Sequence, residues 1–381
     1  MVVTVPSETA DRTWSPVLDG LHAAELDCLQ ANLAAVADVH HGEGAHVALG
    51  AAPRFAPAFP PDGPPSLDAP VDTRLDEASR LLGLSVSLRE DGLDGPALRR
   101  LAAAHGPLYV VGDAHTMPWV PYFGQKHMEH SFLLVSAGGS CTVVDAYHND
   151  TPWGSARPGV WRVPDFDAAV PKSSAFALSV SAVPAPDVDF ELVATARSLD
   201  FIDRYVTAVR QYSDRPAGWD ALVLDVWLIA RTRALHARWL AASGVDDGGR
   251  AAESAQAWQT LAAQTYVAMR RAQRGGGMPA ALVDRVHELL LADEALAAEL
   301  AGRAVRSTVV RELAAVLELD TAVVDGPLRE LPKFNSFRLV DVIERVESAL
   351  DVELDPDDLA TGDLRDVDAL AGLFRRAVGR P

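Results

Sequence analysis

The texture of the chain changes once, near Phe190, and that change limits the architectures open to it. Before it, short β-type runs alternate with Gly- and Pro-rich stretches: Leu108 to Val111, Ser131 to Ser136, Cys141 to Asp145, Val160 to Val163 and Ala175 to Val180. Ala137-Gly138-Gly139-Ser140 between two of these runs predicts a hairpin, since glycine supplies the positive φ of a tight turn. A helix is expected over 20–39, beginning near Glu25-Leu26-Asp27-Cys28, and another around Pro96 to Ala104; the Pro-rich segment 51–72 reads as loop. After Phe190, apolar residues recur at helical spacing over about 190–212, 217–243, 250–273 and 279–301. The expectation is an α+β domain over 20–185, an all-α domain over 190–301, and a third unit over 305–378. Trp219, Trp227, Trp239 and Trp258 read as core of the helical domain.

The third unit has its own signature. After Ser336, apolar residues fall at Phe337, Leu339, Val340, Ile343, Val346 and Leu350, close to a 3.6-residue repeat. Arg338, Asp341, Glu344, Arg345, Glu347 and Asp351 occupy the other face. Ser336 thus starts an amphipathic helix, where serine and asparagine both favour the N-cap. From Asp341 to Asp368 eleven acidic residues stand against Arg345 and Arg365. That face is either simply solvated or a docking surface for basic partners.

Taken together with the Val309 to Leu319 segment, with Asp325, Leu328 and Leu331, and with the run Val352 to Leu359, residues 305–378 resemble an acyl carrier protein, a four-helix bundle. The resemblance implies that Ser336 carries a covalent 4'-phosphopantetheine arm, attached by a phosphopantetheinyl transferase and charged by an acyl- or aminoacyl-loading enzyme. Asn335 stands where such proteins usually have Asp.

A net charge of −19 argues against nucleic acid as a partner. Two cysteines, Cys28 and Cys141, do not make a disulfide framework. Met1 to Gly20 has no basic region followed by an apolar run, and no stretch approaches bilayer length. A cytoplasmic protein with no membrane partner is expected.

Three residues of the first domain suggest nucleophilic catalysis. Cys28 lies near a helix start, where the dipole lowers a thiol pKa. A two-residue turn at Gly138-Gly139 pairs residues whose numbers sum to 277, which sets Phe132 against Asp145 and puts His130 on the same face, diagonal to that carboxylate. A base oriented by an acid is what an activated thiol needs. Each residue also has a bland reading: Cys28 as a small buried hydrophobe, His130 as a satisfied core histidine, Asp145 as the start of a turn. Cys141, in a strand interior, is the weaker nucleophile, and His127 is the rival of His130. His40, His41, His46, His127, His130 and Asp113 offer metal donors, but none has the spacing that puts two ligands on one helical face, so no metal is expected.

The runs Gly106 to Asp113, Pro118 to Tyr122, His127 to Val135 and Val143 to Asp145 resemble the N-terminal domain of the butirosin-biosynthesis acyltransferase family, over roughly residues 20–185. The resemblance implies a papain-like, cysteine-peptidase-like fold. It also implies transfer of an acyl group from a carrier thioester, through acyl-Cys28, to an amine in natural-product (antibiotic) biosynthesis. Cys28 would be the nucleophile, His130 the base and Asp145 its orienter. His22, six residues before Cys28, would be an oxyanion donor or merely a surface histidine. Asp27-Cys28-Leu29 departs from the small polar neighbours usual there. Hydrolysis or cyclisation of the acyl chain, or an inactive docking platform with a fused carrier, are the alternatives.

Overall fold

The computed structural model describes residues 8–51, 55–137, 140–182, 198–245, 248–275, 277–355 and 364–378. The chain opens with α1 (Glu8–Gly20), a 3-10 turn (Ala23–Glu25), α2 (Gln30–His41) and a second 3-10 segment (Ala45–Ala51). The helix expected from about Glu25 thus begins at Gln30. The reason is local: Asp27 Oδ1 accepts from the backbone N–H of Leu29 (2.9 Å) and Gln30 (2.8 Å), which holds Asp27 to Leu29 as a turn ahead of the helix. The Pro-rich stretch is loop only in its centre, closed by a bridge between Ala58 and Ser66, and gives way to α3 (Val71–Leu82). α3 stops at Gly83, whose φ of 64° is the left-handed cap glycine adopts freely.

The sheet is antiparallel and six-stranded. Its strands are β1 (Leu84–Leu93), β2 (Leu108–Asp113), β3 (Glu129–Ala137), β4 (Ser140–Asp145), β7 (Gly159–Trp161) and β8 (Ser173–Val180), in the order β1-β8-β2-β3-β4-β7. β5 (Asn149–Thr151) and β6 (Gly154–Ala156) form a separate two-stranded ribbon. α4 (Gly95–His105) joins β1 to β2, capped by the Asp94 side chain on Ala97 N–H, and α5 (Phe166–Ala169) precedes β8. The β3–β4 hairpin pairs Leu133 with Val144 and Leu134 with Val143, the expected register. Gly138 and Gly139 lie outside the described residues.

Two-residue periodicity divides the sheet's side chains between two cores. Tyr109, Val111, Leu133, Val144 and Phe176 pack with α1, α2 and α3. Leu108, Val110, Phe132, Leu134, Val143 and Ala175 pack with α4 and α5. His130 and Asp145 share the parity of Phe132 and Val143. Cys28 packs against both cores, beside the first residue of β3.

The helical region comprises α6 (Ser198–Gln211), α7 (Pro216–Ala242), α8 (Arg250–Ala272) and α9 (Ala280–Leu317). The beginning of the helix expected from 190 lies outside the described residues. Trp258 and Trp239 are buried, Trp258 in the core built by α6 to α9. That region does not stand apart from the sheet domain. Leu235, Trp239, Leu240, Leu296 and Leu300 belong to the same core as α2, and a Cβ on Gly50 would meet Leu235 O at 2.4 Å.

The boundary expected between 301 and 305 falls inside α9, which runs unbroken for 38 residues, about 57 Å at 1.5 Å per residue. Leu296 and Leu300 face the first core, and Val305, Val309 and Leu313 face a third. With apolar neighbours on both sides, the helix passes through Gly302, whose cost is only about 1 kcal/mol. α10 (Ser336–Leu350) and α11 (Val367–Val378) complete that third core through Val342, Val346, Leu370 and Phe374. Residues 356–363, where a further helix of the expected bundle would fall, lie outside the described residues. No helix among the described residues is long and apolar enough to cross a membrane.

Candidate functional site

The turn before α2, the hairpin end and α7 converge on Cys28. Its backbone carbonyl accepts from Ser131 Oγ at 2.6 Å, and its Sγ lies 3.7 Å from Glu129 O, the carbonyl that precedes His130. His130 is fully buried. Its Nε2 is 2.7 Å from Asp145 Oδ2, and its Nδ1 is buried without a hydrogen-bond partner. An unpartnered buried ring nitrogen is costly, and such sites are commonly kept for chemistry.

Asp145 is held from several directions. Trp119 Nε1 donates to Oδ2 (3.2 Å), and Tyr147 N–H (2.9 Å) and Asn32 Nδ2 (3.4 Å) donate to Oδ1. Asn32 Nδ2 also reaches Ser131 O and Ser131 Oγ, and its Oδ1 accepts from Ala146 N–H. One buried carboxamide therefore ties α2 to both strands of the hairpin. Tyr147 stands edge-on to the His130 ring at 5.2 Å.

Arg231, from α7, closes the turn. Its Nη1 donates to Ala23 O (3.1 Å) and Leu26 O (2.5 Å), and its Nη2 to His148 O (2.7 Å), while its guanidinium lies 4.0 Å from the Trp227 ring centroid. Two carbonyls of the turn, Ala23 O and Leu26 O, thus share one guanidinium that also grips the chain just past Asp145.

The expectation that the helix start lowers the Cys28 thiol pKa is corrected. Burial pushes the thiol well above its ordinary value, and the carboxylates of Asp27, Asp68 and Asp145 push it further. The helix dipole is outweighed first by burial and then by negative charge, that of the adjacent Asp27 ahead of Asp68 and Asp145.

His22 is placed differently from the expected oxyanion donor. Its Nδ1 is 2.8 Å from Nε2 of buried His46, and its backbone N–H donates to the same atom at 3.2 Å. His46 Nδ1 is 2.8 Å from Asp38 Oδ2. His127, the rival base, is exposed, bonds Asp113 Oδ2 through Nδ1 at 2.6 Å and stacks on His115. Hydrogen bonds from His127, His115 N–H and Met128 N–H hold the Asp113 carboxyl low against partial burial. Cys141 pairs with Ser136 at the other end of the hairpin from His130, and burial pushes its thiol up.

Asn32, Trp119 and Arg231 were not expected at the site. Asn32 had a signal: it lies four residues after Cys28, on the same helical face, as the one polar residue between Ala31 and Ala37. Arg231 had none, since nothing in its own helix announces a turn some two hundred residues earlier. A groove of about 850 Å³ between α8 and α9, lined by Gln256, Gln259, Arg271 and Arg285 among others, includes none of these residues.

Ser336 lies in a second place. Asn335 is the N-cap of α10, its Oδ1 accepting from Phe337 and Arg338 N–H, and Ser336 is the first helical residue and is exposed. Phe337 is 87% exposed and Val340 53%. A hydroxyl that is exposed and not used for capping suits covalent attachment of a phosphate-linked arm.

No protein-family model matches this sequence, and none of the curated proteins matches it.

Proposed function

We propose that this chain is a cysteine-dependent acyltransferase with a papain-like N-terminal domain and its own acyl carrier bundle. One observation carries the reading: Cys28, before a helix, lies against the strand bearing His130, whose Nε2 is fixed by Asp145 and whose Nδ1 is unpartnered. A helix-start thiol beside an antiparallel sheet that carries an acid-oriented histidine is the arrangement of papain-like enzymes. A 4'-phosphopantetheine arm on Ser336 would supply a thiol on which an acyl group is held as an activated thioester.

The chain's residues do the rest. His130 Nδ1 takes the Cys28 proton as Sγ bonds to the acyl carbon, because the raised thiol pKa leaves no preformed thiolate. The same proton then goes to the departing thiol. Asp145 keeps the imidazole oriented and stabilises its charged form. An amine acceptor next displaces Cys28. A phosphopantetheinyl transferase and a loading enzyme are the partners this requires, and the cytoplasm the compartment.

The test is intact mass after incubation with an acyl-pantetheine thioester. Acyl on Cys28, transferred when an amine is added, is the expected result; release as free acid in the presence of the amine would make the enzyme a hydrolase. The raised thiol pKa favours a second reading, an inactive platform that docks the carrier. A Cys28 that neither alkylates nor acylates at any pH would establish it.

A further inference from the structure

Charge is unevenly spread over this chain. Its net charge is −19, yet from Ser254 to Val283 there is no acidic residue, and Arg270, Arg271 and Arg274 stand within that stretch. These residues make most of α8 and the start of α9, the two helices that border the groove of about 850 Å³. The α8 wall is an exposed stripe spaced by three or four residues: Gln256, Thr260, Ala263, Val267 and Arg271. Leu282 and Arg285 line the groove from α9. Asp284, the first acid beyond the stretch, is paired with Arg210. Arg285 meets Glu288 in an exposed pair, which is worth little and is readily exchanged. Arg271 has no ion pair among the described residues.

α10 presents the complement. Phe337, Val340, Asp341 and Glu344 are exposed at i, i+3, i+4 and i+7, one face of the helix, while Val342, Val346 and Leu350 fill the third core. Phe337 and Val340 are thus apolar side chains left in water, and Asp341 and Glu344 have no ion pair among the described residues. Apolar anchors at this spacing are what a helix laid in a groove uses. Within one chain the two surfaces cannot meet. Both are mounted on the unbroken α9: Arg285 lies in its second turn, whereas Arg338, beside Phe337, bonds Val316 O at 3.2 Å near its other end. About 46 Å of helix separates Arg285 from Val316 at 1.5 Å per residue.

We propose that the groove between α8 and α9 is the docking site for the α10 face of a second copy of this chain, with Phe337 and Val340 laid against Ala263, Val267 and Leu282, and with Asp341 and Glu344 meeting Arg271 and Arg285. Such docking requires neither acylation of Cys28 nor modification of Ser336. Removing the two apolar side chains from water drives the contact, and the charges set its partner and register. Ionic strength acts in both directions. At about 0.15 M salt a Debye length of ~8 Å screens the repulsion between two copies of charge −19 while leaving touching pairs; at about 1 M, with ~3 Å, the pairs weaken too.

Sedimentation velocity of the full chain should show concentration-dependent self-association at about 0.15 M salt that weakens toward about 1 M. Arg271→Glu with Arg285→Glu makes the groove acidic like the α10 face. Asp341→Arg with Glu344→Arg makes the α10 face basic like the groove. Each double variant alone should self-associate about a hundredfold more weakly. Mixed in equal amounts, the two should associate as the wild type does, because each groove then meets a face of opposite charge; a folding defect is not repaired by mixing. A wild-type chain that stays monomeric would overturn the proposal, and so would self-association that survives both reversals or is not restored in the mixture. A monomeric wild type that binds a separate acidic carrier protein at the groove would overturn the second copy as its occupant.

Discussion

Asn335 Oδ1 takes hydrogen bonds from the backbone N–H of Phe337 and Arg338, each 3.0 Å long, so the neighbouring Ser336 hydroxyl is spared from capping α10. The division of labour separates two effects that a serine at a helix start usually combines. Ser336→Ala is expected to abolish addition of a single phosphopantetheine mass by coenzyme A and a transferase, with no measurable change in unfolding free energy. Asn335→Ala should cost about 1 kcal/mol by urea titration. Asn335→Asp keeps the cap and should speed attachment. A carrier reading does not survive an unchanged mass with several transferases.

The thiol of Cys28 should be sluggish toward iodoacetamide at neutral pH and gain reactivity steadily as the pH is raised past its ordinary value. Burial and the three nearby carboxylates favour the protonated form. A rate that already levels off near pH 7 would contradict this. Labelling of Cys28 by an acyl thioester should fall about a hundredfold or more in His130→Ala. Asp145→Asn should hurt less than loss of Cys28, because the carboxylate orients the base and forms no bond to the acyl group.

Arg231 supplies the donors for Ala23 O, Leu26 O and His148 O. Arg231→Met fills the volume but leaves these carbonyls without that donor. A loss of about 3 kcal/mol in stability is expected, together with slower acylation of Cys28, since the turn that presents it loosens. Thermal unfolding and labelling kinetics on the same samples would show both effects. Unchanged labelling would detach Arg231 from the site.

Asp225 is buried on α7, accepting from Leu67 N–H at 2.7 Å and Tyr205 OH at 2.8 Å. Burial raises its pKa to about 7. Its folded value lies above its unfolded one, so the folded state binds the extra proton between the two. Stability from this group is full below about pH 4 and is lost as the pH rises through 7, with a slope of at most about 1.4 kcal/mol per pH unit. Asp225→Asn keeps an acceptor for Leu67 and should flatten that part of the stability–pH curve, measured by denaturant titration from about pH 4 to pH 8. An unaltered slope would locate the titration elsewhere.

The parts readable in the chain were those set by local rules. A glycine pair between alternating runs specifies a register, and the pairing of Leu133 with Val144 obeys it, which brings His130 and Asp145 together. The helix starts a few residues later than its apolar spacing predicts, because the Asp27 side chain holds the turn before it through Leu29 and Gln30 N–H. Long-range terms were not legible. Burial by distant segments, and after it the carboxylates of Asp27, Asp68 and Asp145, reverse the effect of a helix start on Cys28, and Arg231 arrives from a helix whose own pattern is that of core. The break placed near residue 301 came from where the carrier-like pattern begins. An α-helix whose apolar face passes from one core to the next needs no break there.

The unbroken α9 has a mechanical consequence. A carrier on a flexible tether samples a sphere and can serve many stations in turn. One mounted on a continuous helix inherits the stiffness of a rod: Ser336 rides at a set distance from the sheet domain, and its excursions are those of rod bending rather than of a loose chain. If Ser336 bears an arm, its delivery radius is that of the arm itself. Such a carrier is dedicated to one address instead of circulating among several.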